Sequence, residues 1–353
     1  MNPESLASER ISATMTTSSD PGVPLRDLVA LAARAPSVHN TQPWHWVADG
    51  DRLSLFADSS RQLRYADPDG RDLVISCGAA LHHLRVAASA TGWDARVRRM
   101  PNPYNDSQLA NVTFRRHQLT RVAIDALNAL KRRRTDRRRP ASSLVPRERL
   151  DELLAAGQAA GATVFAVVSH DARWELLQIL AEAEKAQRLT PGYVEEIVRW
   201  TERQGDEGVP ASSLLRRGQP TSSDLPESRF PSGTLSDHAT SSGPVVPALL
   251  AICTSSDDTA SRLRAGEALG AMLVEGTGKG LAMVPLSQAI EVDRTRLLLQ
   301  NELLRDAACP QILVQVGWAP SAVQPVPPTP RRPVDDVLGD LAALPAWMGP
   351  YQG

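Results

Sequence analysis

Gly78-Ala79-Ala80-Leu81-His82-His83-Leu84-Arg85-Val86 can be laid without a gap on Gly266-Glu267-Ala268-Leu269-Gly270-Ala271-Met272-Leu273-Val274. Gly78, Ala80, Leu81 and Val86 fall on Gly266, Ala268, Leu269 and Val274, and further on Gly92 falls on Gly280. Residues 75–90 and 261–277 each read as a buried helix of small residues and leucines, closed by a glycine. Each leads into a strand, over 93–100 and 281–285. Any helix–glycine–strand unit gives some such matches, but the helix lengths agree as well, which favours an internal duplication. A repeat at this separation implies two related halves rather than a solenoid. Their contact would have the twofold character of a symmetric homodimer, fused into one chain.

Outward from the repeat, apolar spacing predicts a helix over 25–33 that Pro36 stops. Strands follow over 44–47 and 52–58, with a turn at Asp67-Pro68-Asp69-Gly70 and a loop over 101–106. Helices are expected over 124–134, 150–160, 173–188 and 193–202, and strands over 163–168 and 245–254. A further helix covers 292–304 and a strand 311–316. Residues 320–333 are Pro-rich and extended, and a short helix ends the ordered pattern. Helices and strands mix without regular βαβ alternation, so the fold class is α+β. The expected organisation is a flexible tail over 1–24, a first half over 25–120, a second half over 121–338 and a C-terminal tail over 339–353. Residues 205–243, rich in Gly, Pro and Ser, form an insertion in the second half with no sustained period.

The chain has 353 residues, with 39 Lys and Arg against 40 Asp and Glu, for a net charge of −1. That balance gives no bulk reason to expect nucleic acid or an acidic membrane as partner. No stretch approaches the ~20 apolar residues that cross a bilayer. The Ser- and Thr-rich N-terminus lacks the basic-then-apolar pattern of a signal peptide. Cys77, Cys253 and Cys309 are too scattered for a disulfide framework or a CxxC metal pair, which fits a reducing cytosol.

Three motifs carry chemistry. In Ala35-Pro36-Ser37-Val38-His39-Asn40-Thr41-Gln42-Pro43-Trp44, prolines bound a rigid loop that displays Ser37, Asn40 and Gln42. Such a loop can hydrogen-bond a polar planar ligand, although on physics alone an ordinary helix-to-strand turn accounts for it. Arg133-Arg134-Thr135-Asp136-Arg137 sits in the run 131–139, which holds seven basic residues in nine. By itself such a run reads as a solvated face or a weak nucleic-acid patch. Pro330-Arg331-Arg332-Pro333 precedes Val334-Asp335-Asp336-Val337-Leu338, with prolines that fix the extended chain.

Pro36, Ser37, Asn40, Gln42, Pro43 and Trp44 resemble the Pro-Ser-x-x-Asn-x-Gln-Pro-Trp signature of FMN-dependent nitroreductases. The whole pattern, from about Leu25 to Leu338, resembles the Acg-like branch of that family. The resemblance implies a nitroreductase-like pseudo-dimer in which this loop reaches across to FMN held by the other half. It implies that the motif Arg133-Arg134-Thr135 binds FMN, with Arg133 and Thr135 facing its phosphate and ribityl chain, that Arg137 lies near the flavin pyrimidine edge, and that Arg331 or Arg332 completes the phosphate site. The chemistry is suitable, since Arg gives a phosphate a bidentate, permanently charged partner and a cation at the pyrimidine edge tunes the flavin. The loop signature occurs in the first half only; residues 155–167 lack it. The basic motifs occur in the second half only. One FMN per chain is therefore expected.

One position departs from the family. Where many members carry Glu-Gly after Val-Pro-x, Val284-Pro285-Leu286 continues as Ser287-Gln288. The backbone amide directed at the flavin would persist there, without the acidic residue. His39 and His45 flank the loop without a carboxylate or Cys at ligand spacing, so no metal site is expected. Gly276-Thr277-Gly278-Lys279-Gly280 lacks full phosphate-loop spacing. The expected function is an FMN oxidoreductase that passes electrons from NAD(P)H, the expected reductant, to a nitro or quinone-like acceptor. Its alternative is an FMN store, with residues 205–243 as a lid. The fused pseudo-dimer is expected to be monomeric.

Overall fold

The computed structural model describes residues 22–138, 140–141, 143–201, 203, 205–216, 229–231, 233–236, 246–320 and 324–341. The expected N-terminal tail, except its last three residues, and much of the 205–243 insertion lie outside them. In chain order the elements are α1 (Leu25–Ala32), β1 (Trp44–Asp49), β2 (Arg52–Ala57), α2 (Arg71–Ser89), β3 (Trp93–Arg99), β4 (Gln108–Arg116) and α3 (Arg121–Arg132). There follow α4 (Arg147–Ala159), β5 (Thr163–Val167), α5 (His170–Leu189), α6 (Tyr193–Thr201), β6 (Ala248–Thr254), α7 (Thr259–Gly278) and β7 (Leu281–Leu286). The chain continues through α8 (Gln288–Glu291), α9 (Asp293–Leu298), β8 (Cys309–Trp318), α10 (Val334–Val337) and β9 (Leu338–Asp340).

The repeat is visible in the topology. One sheet has the order β3-β4-β2-β1-β9 and the other β7-β8-β6-β5, so four strands match one for one. Both sheets pair these strands antiparallel. Gly92 and Gly280, which close the matched helices, take φ of +81° and +80°, a region that glycine enters without steric cost.

α2 and α7 pack against each other at the centre. A Cβ added to Gly78 would run into the Leu263 carbonyl oxygen and lie 2.8 Å from the Gly266 Cα. A Cβ added to Gly266 would run into the Ile75 carbonyl oxygen and lie 2.8 Å from the Gly78 Cα. Leu263 is the repeat equivalent of Ile75, so the contact is its own image about a local twofold. Two glycines let the helix backbones touch there, and apolar residues fill the space on either side. Trp44, Trp46, Leu53 and Leu55 pack with α1 and α2; Leu250, Ile252, Val314 and Val316 pack with α4 and α7.

Several elements differ from the sequence reading, and α8 is a short helix where none was expected. β4 falls in a stretch given no element, although Ala110, Val112 and Phe114 alternate into the core. The single helix expected over 292–304 is α9 followed by a π turn over Leu299–Leu303. The tail expected from 339 begins inside β9, which pairs parallel to β1 with Trp46 opposite Leu338. The end of the chain thus completes the sheet built by its beginning. Its few residues carry no periodic signal, since their burial depends on a strand nearly three hundred residues away.

Candidate functional site

The cleft is built where the α1–β1 connection, the α3–α4 connection and residues 326–331 converge, with Val209 and Ser213 closing one side. It encloses about 690 Å³ of empty space, part of it open to solvent. Of the sequence-derived site residues, Pro36, Ser37, Asn40, Arg133, Arg134, Thr135, Arg137 and Arg331 line it.

Pro36 ends α1, and the connection then turns sharply. His39, Asn40 and Gln42 take φ of +45°, +55° and +50°, which non-glycine residues seldom adopt. Tertiary hydrogen bonds hold this conformation. The Ser37 hydroxyl accepts from the Gln42 amide at 3.0 Å. The Asn40 side chain donates to the Gly208 carbonyl at 2.9 Å and the Pro330 carbonyl at 3.1 Å. The Gln42 side chain donates to the Asp206 carbonyl at 2.7 Å and accepts from the Arg332 amide at 2.9 Å.

Gln42, Pro43, Trp44 and Arg332 are therefore supports rather than lining. Pro43 accepts from the Asp58 amide at 2.8 Å, and Trp44 is fully buried at the start of β1. Arg332 binds the Gln42 carbonyl at 3.3 Å and the Asp336 carbonyl at 2.8 Å.

Ser287 and Gln288 are not brought to the lining either. The Ser287 hydroxyl accepts from Arg229 at 2.8 Å and donates to Glu291 at 2.6 Å. Gln288 donates to Gln187 at 3.0 Å. Arg229, from the insertion, also pairs with Glu291 at 2.8 Å. These residues anchor the insertion on the second half.

One end of the cleft is cationic. Arg34, Arg133, Arg134 and Arg331 gather there, and among the described residues none is paired with a carboxylate. Their hydrogen bonds go to carbonyls: Arg133 to Arg34 and Arg331 to Arg34 and Ala35, each at 3.2 Å. Arg331 also donates to the Asn40 side-chain oxygen at 3.0 Å. The Nε and Nη1 of Arg133 and the Nε of Arg331 are buried without a partner among the described residues. Burial, then Arg134 and Arg34, push the Arg133 pKa down to about 10. Burial, then Arg133, Arg34 and Arg134, push Arg331 down to about 9. A guanidinium stays charged even so, so this end holds positive charge with donors to spare, the arrangement an anion relieves.

The other end is aromatic and carries a single lining cation, Arg137. The Arg137 guanidinium lies 5.0 Å from the centroid of the Phe230 ring. The His39 ring meets the same ring edge to face, with centroids 5.2 Å apart. Burial, then Arg229 and Arg137, hold the His39 pKa well below its ordinary value, so the imidazole is neutral. Arg34, His39, Val209 and Ser213 were not named as site residues by the sequence reading. Arg34 and His39 adjoin the signature and were within its reach. Val209 and Ser213 belong to an aperiodic stretch that gives no signal.

Among the described residues no His, Cys, Asp and Glu cluster could hold a metal, and no helix is long and apolar enough to cross a membrane. No protein-family model matches the chain. A Mycobacterium tuberculosis H37Rv protein named "putative NAD(P)H nitroreductase" is 37% identical over 335 residues, covering 92% of this chain and 94% of its own. Another from that strain, "putative NAD(P)H nitroreductase acg", is 35% identical over 319 residues, covering 89% and 95%. Solved nitroreductases with bound FMN from Bacteroides fragilis and Desulfitobacterium hafniense overlap 56% and 60% of this chain and 90% and 95% of their own. Their identities are 14% and 13% and their TM-scores 0.36 and 0.37, too low to transfer any residue. By its relatives the chain belongs to the nitroreductase family, in its Acg-like branch. Its fold is α+β, with two sheets of matching strand order within one chain.

Proposed function

We propose that the chain binds one FMN in this cleft and works as an oxidoreductase, taking electrons from NAD(P)H and passing them to a nitro compound or quinone-like acceptor. The observation that carries the reading is the cationic end, where buried guanidinium donors lack an acceptor among the described residues. Arg133 and Arg331, with Arg34 and Arg134, suit the phosphate of FMN, which carries about −1.5 to −2 charge near neutral pH. Thr135 and Ser37 suit the ribityl hydroxyls, and Arg137 the pyrimidine edge. Bound FMN would supply the electron transfer; the chain would supply its binding, orientation and shielding from water.

Matching topology supports an ancestral duplication, and motifs divided between the halves support a single surviving site. The same matching supports the domain scheme of two halves with one insertion. With both halves in one chain, the working unit is a cytosolic monomer with small molecules as its partners.

A second reading, an FMN store, is favoured by a specific observation. Val209 and Ser213 of the insertion line the cleft, and Arg229 ties the insertion down. Closure of that kind excludes bulky acceptors as well as water.

The test begins with the visible spectrum and the FMN-to-chain ratio of purified protein. Absorbance near about 450 nm with one FMN per chain is expected; two per chain would end the single-site reading. NAD(P)H oxidation with nitrofurazone or menadione then separates enzyme from store.

A further inference from the structure

Residues that line the cleft carry two kinds of buried polar atoms without a partner among the described residues. The cationic kind belongs to Arg34, Arg133 and Arg331; the neutral kind comprises both ring nitrogens of His39 and the hydroxyl of Ser213. His39 is 4% exposed and Ser213 1%, and both line the cleft. His39 shares the Phe230 ring with Arg137, which puts it at the Arg137 end. Ser213 adjoins Leu214, which packs in the same apolar cluster as Phe230.

Buried polar groups nearly always have partners, and each exception calls for a cause. Here the exceptions come from two distant parts of the chain and converge on one space. The backbone points the same way. His39 is held at φ +45° by the clamp on Asn40 and Gln42, and strain of this kind persists where the surroundings over-determine it, commonly at ligand sites.

We propose that His39 and Ser213 form a neutral hydrogen-bonding pair that reads the polar edge of a planar conjugated ring bound in the cleft. The proposal rests on the FMN reading above. An edge that alternates C=O and N–H, as the flavin pyrimidine does, needs both acceptors and donors. Arg137 supplies donors only, whereas a neutral imidazole offers one of each and a serine hydroxyl both. The charged groups that face His39 are Arg229 and Arg137; both are cations, and they keep its acceptor nitrogen free of a second proton. A nitro or quinone-like acceptor stacked in the cleft would offer oxygen atoms to the same donors, so the flavin and the acceptor are tested separately.

The experiment uses the full chain freed of flavin, with FMN and riboflavin binding read from flavin fluorescence. His39→Leu and Ser213→Ala should each weaken both ligands by about tenfold, the worth of one buried hydrogen bond. His39→Gln should recover most of the loss. Arg331→Ala should weaken FMN while leaving riboflavin unchanged, separating the two ends of the cleft. Dicoumarol, a planar probe of the acceptor position, is titrated against the FMN-loaded protein. Loss of dicoumarol binding with flavin affinity unchanged would assign the pair to the acceptor and overturn its reading of the flavin edge. Unchanged affinity for all three ligands, with unfolding temperature intact, would overturn the pair entirely. Should His39→Leu fail to fold, Ser213→Ala and His39→Gln carry the same comparison. A wild-type chain that binds inorganic phosphate but neither flavin would overturn the FMN reading and this proposal together.

Discussion

The two halves share a strand order but are elaborated in opposite places. In the first half β1 and β2 are joined by a two-residue turn, with Asp49 opposite Arg52 and Gly50 at φ +59°. In the second, the matching strands β5 and β6 are separated by α5, α6 and the insertion. The connections into the sheets reverse the pattern. α4 reaches β5 through three residues, 160–162, whereas α1 reaches β1 through residues 33–43. The long piece of one half then clamps the long piece of the other: Asp206 and Gly208 accept from Gln42 and Asn40, and Glu207 pairs with Arg61. A symmetric scaffold has thus been made into an asymmetric one by spending each half's extra chain on the same cleft. The twofold contact carries the fold and the asymmetric additions carry the site, and substitutions can separate them.

The largest effect is expected at the twofold contact. Gly78→Val or Gly266→Val drives a side chain into the facing backbone and should cost on the order of 4 kcal/mol or more in thermal unfolding. The two losses should be alike; tolerance at one position alone would break the symmetry argument. Next is the anchor of the insertion. Arg229→Met leaves the buried Glu291 unpaired and should cost about 3–4 kcal/mol, with faster FMN release in stopped-flow fluorescence. Release unchanged in a destabilised protein would make the insertion a bystander. Arg331→Ala should weaken FMN binding by about 2–5 kcal/mol with little change in stability. Arg132→Ala, on the exposed end of α3, should change binding by less than about 0.5 kcal/mol. Equal losses would mean that charge near the cleft, not placement, holds the phosphate.

The smallest effect compares the starts of the two matched helices. Asp258 caps α7 by accepting from the Ser261 amide at 2.7 Å, and hydrogen bonds, that one first, lower its pKa. Its stabilisation is present above the ordinary carboxylate pKa and is lost as pH falls. Asp67 accepts from the Leu73 amide of α2 at 2.9 Å, but burial raises its pKa to about 6. Its contribution is full below the ordinary value near 3.8 and is lost as pH rises through about 6. Asp67→Asn should therefore gain about 1–2 kcal/mol on wild type between pH 4 and 7, read by chemical unfolding. Asp258→Asn should do relatively worse over the same interval. Parallel profiles would mean that the two acids are equivalent after all.

Much was legible in the residues themselves. Small residues at Gly78 and Gly266, the shared closing glycines and the matched exit strands pointed to two halves of matching topology, because close helix contact leaves glycine few substitutes. The loop motif and the arginine runs gave eight lining residues, because prolines and guanidinium groups keep their local chemistry in any context. Tertiary structure alone decided the rest. Gln42, Trp44 and Arg332 became supports, and Ser287 and Gln288 an anchor, because packing and hydrogen bonds settle which way a side chain faces. β9 formed because β1 offered it a free edge, a partner no local pattern announces. His39 and Ser213 came to share one cleft because a strained loop and an aperiodic insertion are folded against each other, a convergence no local pattern encodes.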